Sequence, residues 1–190
     1  MTLLNDIEIS KLAENDIFMP YVGEKTKIVD GKPALSFGLS QSGYDIRLSP
    51  KEFVVYASPQ STSTFDVKDA PEGITTGLVQ DEKGSFFIIP PHAIGLGVSV
   101  ERFNMPNDVM GLCWGKSTYA RAGLIANITP IEPGWCGYLT MSLTNPTDRY
   151  IRVYANEGIA QVVLFRCGEV SRPYEGKYQD QGASVTAAKV

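Results

Sequence analysis

Over most of this chain polar and apolar residues alternate, or apolar ones gather in short runs separated by Gly, Pro, Asn and Asp. Such segments fall at residues 44–48, 52–57, 85–89, 94–100, 137–143, 151–154 and 160–166. A period of two marks half-buried strands, and eighteen glycines and twelve prolines supply the turns between them. The pattern predicts a mainly β domain, a distorted jelly roll or β-barrel. Helical periodicity is confined to two places. Residues 6–15 place Ile7, Ile9, Leu12 and Ala13 on an apolar side, and residues 117–124 form a second short helix that Ser117 caps and Gly123 ends. The segment 60–77, rich in Ser, Thr and Pro, reads as a surface excursion.

Composition narrows the possible functions. At 190 residues the chain is long enough for one domain with a substantial core, and 43% hydrophobic with 20% charged residues suits a globular protein. A net charge of −4 lacks the basic field that long nucleic acid requires, although a few local cations can hold a small anion. No apolar run approaches the ~20 residues that span a bilayer. The acidic, periodic N-terminus is unlike a signal peptide. Cys113, Cys136 and Cys167 form neither a CxxC pair nor an even set, which places the chain in a reducing cytoplasm. With one histidine, His92, and no PCxxC, the zinc site of the metal-dependent nucleobase deaminases cannot be assembled, so any deamination here proceeds without zinc.

Five stretches carry candidate chemistry. Lys116-Ser117-Thr118-Tyr119-Ala120-Arg121 sets two cations and two hydroxyls within six residues. Phosphate oxygens take such charge-assisted donors, and a helix N-terminus adds free N–H groups. A capped surface helix with ordinary charges accounts for the same residues. Downstream, Glu132 precedes the turn Pro133-Gly134-Trp135-Cys136-Gly137. This arrangement sets a carboxylate that can activate water beside a ring on which a sugar or base packs, or it is simply a turn with a buried Trp. Gly43-Tyr44-Asp45 either offers Asp45 to a magnesium-bound water or forms a turn in which Asp45 pairs with an arginine. Gln161, on an otherwise apolar strand, needs a partner if buried, either a ligand phosphate or backbone. The polar tail 169–190 is either disordered or a lid over a ligand.

Taken together, SGYDIRL, IIPPHAIGLGVSVE, GKSTYARAGL, TPIEPGWCG, YANEGIAQVV and GKYQDQG resemble, in order, the dCTP deaminase family within the dUTPase-like superfamily. The resemblance covers most of the chain. It implies a dUTPase-like β domain over residues 1–168, with the tail 169–190 as an active-site lid. It also implies a homotrimer with sites between subunits and a pyrimidine deoxynucleoside triphosphate such as dCTP or dUTP bound with Mg²⁺, without zinc. By position, Lys116, Ser117, Thr118 and Arg121 look like phosphate and active-site residues. Asn127 to Ile131, with Asn127, Thr129 and Ile131 as its contacts, look like the segment facing the base edge, and Trp135 like the aromatic beside the deoxyribose. Gln161, Tyr174, Lys177, Tyr178 and Gln181 look like triphosphate contacts.

One position departs from the family. Its deaminases carry a glutamate five residues past the glycine of the Trp-x-Gly turn, to move a proton from water to the departing ammonia. Ser142 stands there instead. A serine hydroxyl has no pKa suited to that work near pH 7, and losing a positioned general base costs about a hundred- to ten-thousandfold. The dUTPase pattern I-D-x-x-Y-x-G, by contrast, lies in register with Ile131-Glu132-Pro133-Gly134-Trp135-Cys136-Gly137. The expectations are therefore three. Deamination of dCTP is the family reaction. A diphosphatase with Glu132 activating water is the first alternative, and a nucleotide-binding module without turnover is the second.

Overall fold

The computed structural model describes residues 1–56, 66–69 and 72–189. Ala57, the expected end of one strand, and residues 60–65 and 70–71 of the expected excursion lie outside the described residues. In chain order the first elements are β1 (Thr2–Leu3), α1 (Asp6–Ala13), β2 (Phe18–Met19), β3 (Thr26–Val29), β4 (Lys32–Ser40), β5 (Gly43–Tyr56) and β6 (Ile74–Thr75). Next come β7 (Val79–Asp81), β8 (Gly84–Ile89), β9 (Ala93–Asn104), β10 (Val109–Gly115) and α2 (Ser117–Arg121). The chain continues through β11 (Ile125–Asn127), β12 (Cys136–Asn145), β13 (Ile151–Tyr154) and β14 (Gly158–Arg166). The expected mainly β architecture is what forms: a large curled sheet ordered β1-β14-β5-β9-β12-β11, with β10 also on β14, and a small sheet β13-β8-β7.

One long strand organises the curl. The expected segments 44–48 and 52–57 are one strand, β5, with a register irregularity between Leu48 and Phe53. Its first half pairs with β14 and β4, and its second half with β9 and β6. Such an irregularity lets one strand turn a corner and serve two layers. Across that corner, buried Glu101 accepts both the Arg47 backbone N–H (2.9 Å) and its guanidinium Nε (2.7 Å). Burial raises the Glu101 pKa, with Arg47 opposing the shift.

The core lies between the inward faces of β5, β9, β12 and β14, with Tyr44, Ile46, Leu48, Phe53, Phe103, Met141, Leu143 and Val162 all buried. Burying one such side chain contributes about 1.5–3 kcal/mol. Aromatic rings run through it as a chain: Tyr44 stacks on Phe18 (4.4 Å), Phe18 meets Phe103 edge-on (5.2 Å), and Phe103 lies 5.8 Å from Trp135. Packing thus connects β5 to the Trp135 turn.

Local differences from expectation have local causes. In α1, Ile9 is buried and Leu12 and Ala13 pack beside it, but Ile7 is 62% exposed, since position 7 lies on the opposite side of the helix. The α1 cap is a capping box, with Asn5 and Glu8 bonding each other's backbone N–H. α2 stops at Arg121, short of residue 124. The N–H groups of Gly123 and Leu124 fold back onto the carbonyls of Ala120 and Tyr119, with Gly123 at φ +91°. That is a Schellman closure, so Gly123 does end the helix. Ser117 is not the cap. Lys116 takes that position and Ser117 is the first helical residue, with no side-chain capping bond at this terminus.

Candidate active site

Strand β12 sets out the floor of the site by simple alternation. Gly137, Leu139, Met141, Leu143 and Asn145 are buried, and the intervening Tyr138, Thr140, Ser142 and Thr144 are half-buried on the opposite face. Thr140 and Ser142 are two residues apart and therefore point the same way. Ser142 pairs with Leu96 of β9 on one side and Asn127 of β11 on the other. Above this face lies a cavity of about 530 Å³, large enough for a small organic ligand.

Asn127, Thr129 and Ile131 line the cavity, as do Glu132, Trp135 and Ser142. So do Tyr174, Tyr178 and Gln181 from the tail. These nine expected residues are brought together from three separate stretches of chain. Pro130, inside the expected base-edge segment, and Thr186, Ala187 and Ala188 of the tail also line it, while Leu96, Leu139 and Thr140 line it without having carried an expectation. Thr140 could have been found from the alternation with Ser142. Leu96 depends on a strand pairing that no local signal encodes. Glu132 is the one carboxylate among the cavity's lining residues.

The tail is folded down on its own chain. Its backbone bonds the Trp135 turn and β12 through Tyr174 N to Pro133 O (2.9 Å), Asp180 N to Cys136 O (3.0 Å) and Tyr138 N to Gln181 O (2.9 Å). The Trp135 indole N–H donates to the Tyr178 carbonyl at 2.8 Å, so the buried ring both fills the core edge and ties the tail. Gln179 clasps the turn at both ends of its amide: its oxygen accepts from Cys136 N and its nitrogen donates to Gly134 O, each 3.0 Å. Gln181 donates to Tyr138 O (2.8 Å) and Thr140 Oγ1 (2.6 Å). Gly137 makes this close docking feasible. At φ +137°, a Cβ there would sit 2.7 Å from the Gln181 backbone nitrogen.

The other expected residues form a second cluster. Lys116, Ser117, Thr118 and Arg121 lie at the end of β10 and on α2, with Ser117, Thr118 and Arg121 exposed; none of the four lines the cavity. Lys116 Nζ sits 2.7 Å from Asp45 Oδ2, and Lys25 Nζ lies 3.4 Å from the same oxygen. Asp45 therefore pairs with two lysines, where an arginine was expected. Gln161, opposite Asp45 in the ladder, is half-buried and donates to Ser40 Oγ at 2.9 Å, a side-chain partner where phosphate or backbone was expected. Lys177 bonds the Lys189 carbonyl and lies 5.6 Å from the Tyr178 ring.

Among the described residues no group of three or more His, Cys, Asp or Glu stands together to hold a metal. Asp45 Oδ2, engaged by two ammonium groups, does not fit a direct metal anchor. Buried Cys113 has its thiol pushed up to about 12 by desolvation, which suits a packing residue and not a nucleophile. Among the described residues no helix is long and apolar enough to cross a membrane.

Comparison with known proteins bears on the fold and the family. The family model for dCTP deaminase-like proteins matches residues 10–167. The chain is 39% identical over 183 residues to the dCTP deaminase of Laribacter hongkongensis, covering 96% of this chain and 93% of that protein. It is 39% identical to the dCTP deaminase of Nitrosomonas europaea over 195 positions, with both chains fully covered. The crystal structure of 2'-deoxycytidine 5'-triphosphate deaminase from Agrobacterium tumefaciens superposes with a TM-score of 0.58 at 16% identity, over 87% of this chain. This chain spans about half, 48%, of that longer protein, and the likeness concerns the fold alone.

Proposed function

The chain belongs to the dCTP deaminase-like family of hydrolytic enzymes, and on that premise we propose that it hydrolyses a pyrimidine deoxynucleoside triphosphate. In this reading the base enters the cavity against Asn127, Thr129 and Ile131, and the deoxyribose packs on Trp135. The triphosphate, carrying its own Mg²⁺, runs to Lys116, Ser117, Thr118 and Arg121, with Gln161, Tyr174, Lys177, Tyr178 and Gln181 gripping its flanks. Within one chain the phosphate cluster does not line the cavity, which supports a homotrimer in which a second copy completes each site.

The observation that carries the choice of reaction is the identity of the cavity's single carboxylate. Glu132 stands before the Trp135 turn, and Ser142 occupies the place on β12 where a deaminase needs an acid. We read the site as a diphosphatase. Glu132 accepts a proton from water as the water oxygen bonds to the α-phosphorus. The bond from that phosphorus to the bridging oxygen breaks, and pyrophosphate leaves a nucleoside monophosphate. Lys116 and Arg121 stabilise the charge that develops on the phosphates.

Deamination is the second reading, favoured by the full-length similarity to proteins named dCTP deaminases. In that reaction water adds at C4 and ammonia leaves, and Ser142 cannot hold the proton in transit. Incubating the protein with dCTP or dUTP and Mg²⁺ while following pyrophosphate and ammonia separates the two. We expect pyrophosphate, with Glu132→Gln slowing its release about a hundred- to ten-thousandfold. Ammonia from dCTP, unaffected by Glu132→Gln, would refute the diphosphatase reading.

A further inference from the structure

We infer that Lys25 is an additional phosphate-binding cation of this site, and that its charge tunes the protein toward triphosphates. The sequence offers no hint of it, since Lys25 lies in an unremarkable polar stretch 91 positions before Lys116. The fold brings the two ammonium groups onto one atom. Asp45 Oδ2 is 2.7 Å from Lys116 Nζ and 3.4 Å from Lys25 Nζ. The Asp45 side chain is 3% exposed, that of Lys116 12% and that of Lys25 40%.

Charge counting gives the consequence. One carboxylate balances one ammonium, so the trio keeps a net positive charge beside exposed Ser117, Thr118 and Arg121. Among the described residues Arg121 has no ion-pair partner, so its charge adds to the same field. Lys25 makes the longer contact with Asp45 and is the more exposed lysine, so it is the one that can leave the carboxylate for an arriving anion. An ammonium on a flexible stem is suited to that exchange.

The backbone that carries Lys25 is held in place. Val22 N donates to the buried Tyr44 hydroxyl at 2.9 Å, and Val22 O accepts from Leu39 N at 3.0 Å. Gly38, at φ +93°, lets the Glu24 carbonyl approach to where a Cβ would meet it at 2.3 Å. The segment just before β3 is thus fixed against β4 and β5, and from it the partly exposed Lys25 side chain reaches Asp45.

This inference rests on the reading that residues 116–121 bind phosphate, and the test keeps the two separable. Full-length parent, Lys25→Met, Lys25→Arg and Lys116→Met proteins are titrated with dCTP, dUTP, dUMP and inorganic tripolyphosphate, at low and high salt. We expect Lys25→Met to bind the triphosphates and tripolyphosphate roughly tenfold more weakly, with a shallower salt dependence. The effect on dUMP should be smaller, and Lys25→Arg should restore most of the affinity. A purely structural lysine would instead lower the melting temperature and weaken every ligand alike. Triphosphate affinity within twofold of the parent for Lys25→Met, with affinity lost in Lys116→Met, overturns the role of Lys25 and leaves the phosphate site standing. Parent-like binding in both variants overturns the phosphate site as well.

Discussion

Replacing Gln179 by Ala tests how the tail is held over the cavity. The substitution removes two hydrogen bonds at once, the acceptor for Cys136 N and the donor to Gly134 O, each 3.0 Å long. A net intramolecular hydrogen bond is worth about 0.5–1.5 kcal/mol, and both bonds here are half-buried, so the closed tail should lose about 1–2 kcal/mol. That corresponds to roughly a five- to thirtyfold shift in the opening equilibrium. The remaining ties include backbone bonds from Tyr174 N to Pro133 O, Asp180 N to Cys136 O and Tyr138 N to Gln181 O, the Trp135 indole bond and the Gln181 side-chain bonds. None of these involves the altered side chain. Native-state hydrogen exchange at the Asp180 and Tyr138 amides should therefore speed up by that factor. Global stability should fall by no more than the same amount, since the open-tail and unfolded states both lack these bonds. What marks a local opening is exchange at these two amides that is faster than global unfolding allows and nearly independent of urea. Unaltered exchange at both amides, or parent exchange at them that occurs only through urea-dependent global unfolding, would refute the idea that the tail is a locally closing cover.

Two further outcomes follow from the same geometry. Ser142→Glu places a carboxylate on the cavity face of β12 beside Thr140, and ammonia release from dCTP should rise by about a hundredfold or more, measured against pyrophosphate in the same reaction; no gain in ammonia would show that the surrounding residues are not arranged for ring chemistry. Glu157→Gln addresses pH dependence. Burial raises the Glu157 pKa above its ordinary 4.5, partly offset by the bond it accepts from Leu35 N at 2.7 Å. A carboxyl whose pKa is raised by folding contributes stability below its unfolded pKa and loses it as pH rises through the folded value. Gln keeps an acceptor for Leu35 and cannot ionise. The drop in unfolding free energy as pH rises from below 4.5 toward neutrality should therefore be smaller in the variant; Glu101 leaves a residual slope of the same sign.

Much of the site was legible because its parts are local. The turn around Trp135 and the alternation of β12 are short-range patterns, and they placed Glu132, Trp135 and Ser142 on one cavity. The helix after Lys116 was legible too, except for its cap, since Ser117 sits one position inside the first turn. Strands β4 and β10 carried no clear period. β10 contributes Gly111, Trp114 and Gly115 to its ladder with β14, residues that neither alternate nor cluster as apolar runs do. Lys25 meets a partner far away in the chain, and nothing in its neighbours marks it; Gln179 lies in the GKYQDQG motif, but its clasp on the Trp135 turn is made 43 residues away and is not readable there.

By itself the sequence determined the strand-rich architecture, the order of the motifs and the chemical kind of each side chain, because these depend on period, turn residues and side-chain identity. Only the tertiary structure decided which charges meet. Asp45 joins Lys25 to Lys116, and Gln179 and Gln181 fasten the tail to β12 across more than forty residues. Contacts of that range are set by strand pairing and the close approach of backbones at Gly38 and Gly137, which local periodicity does not record.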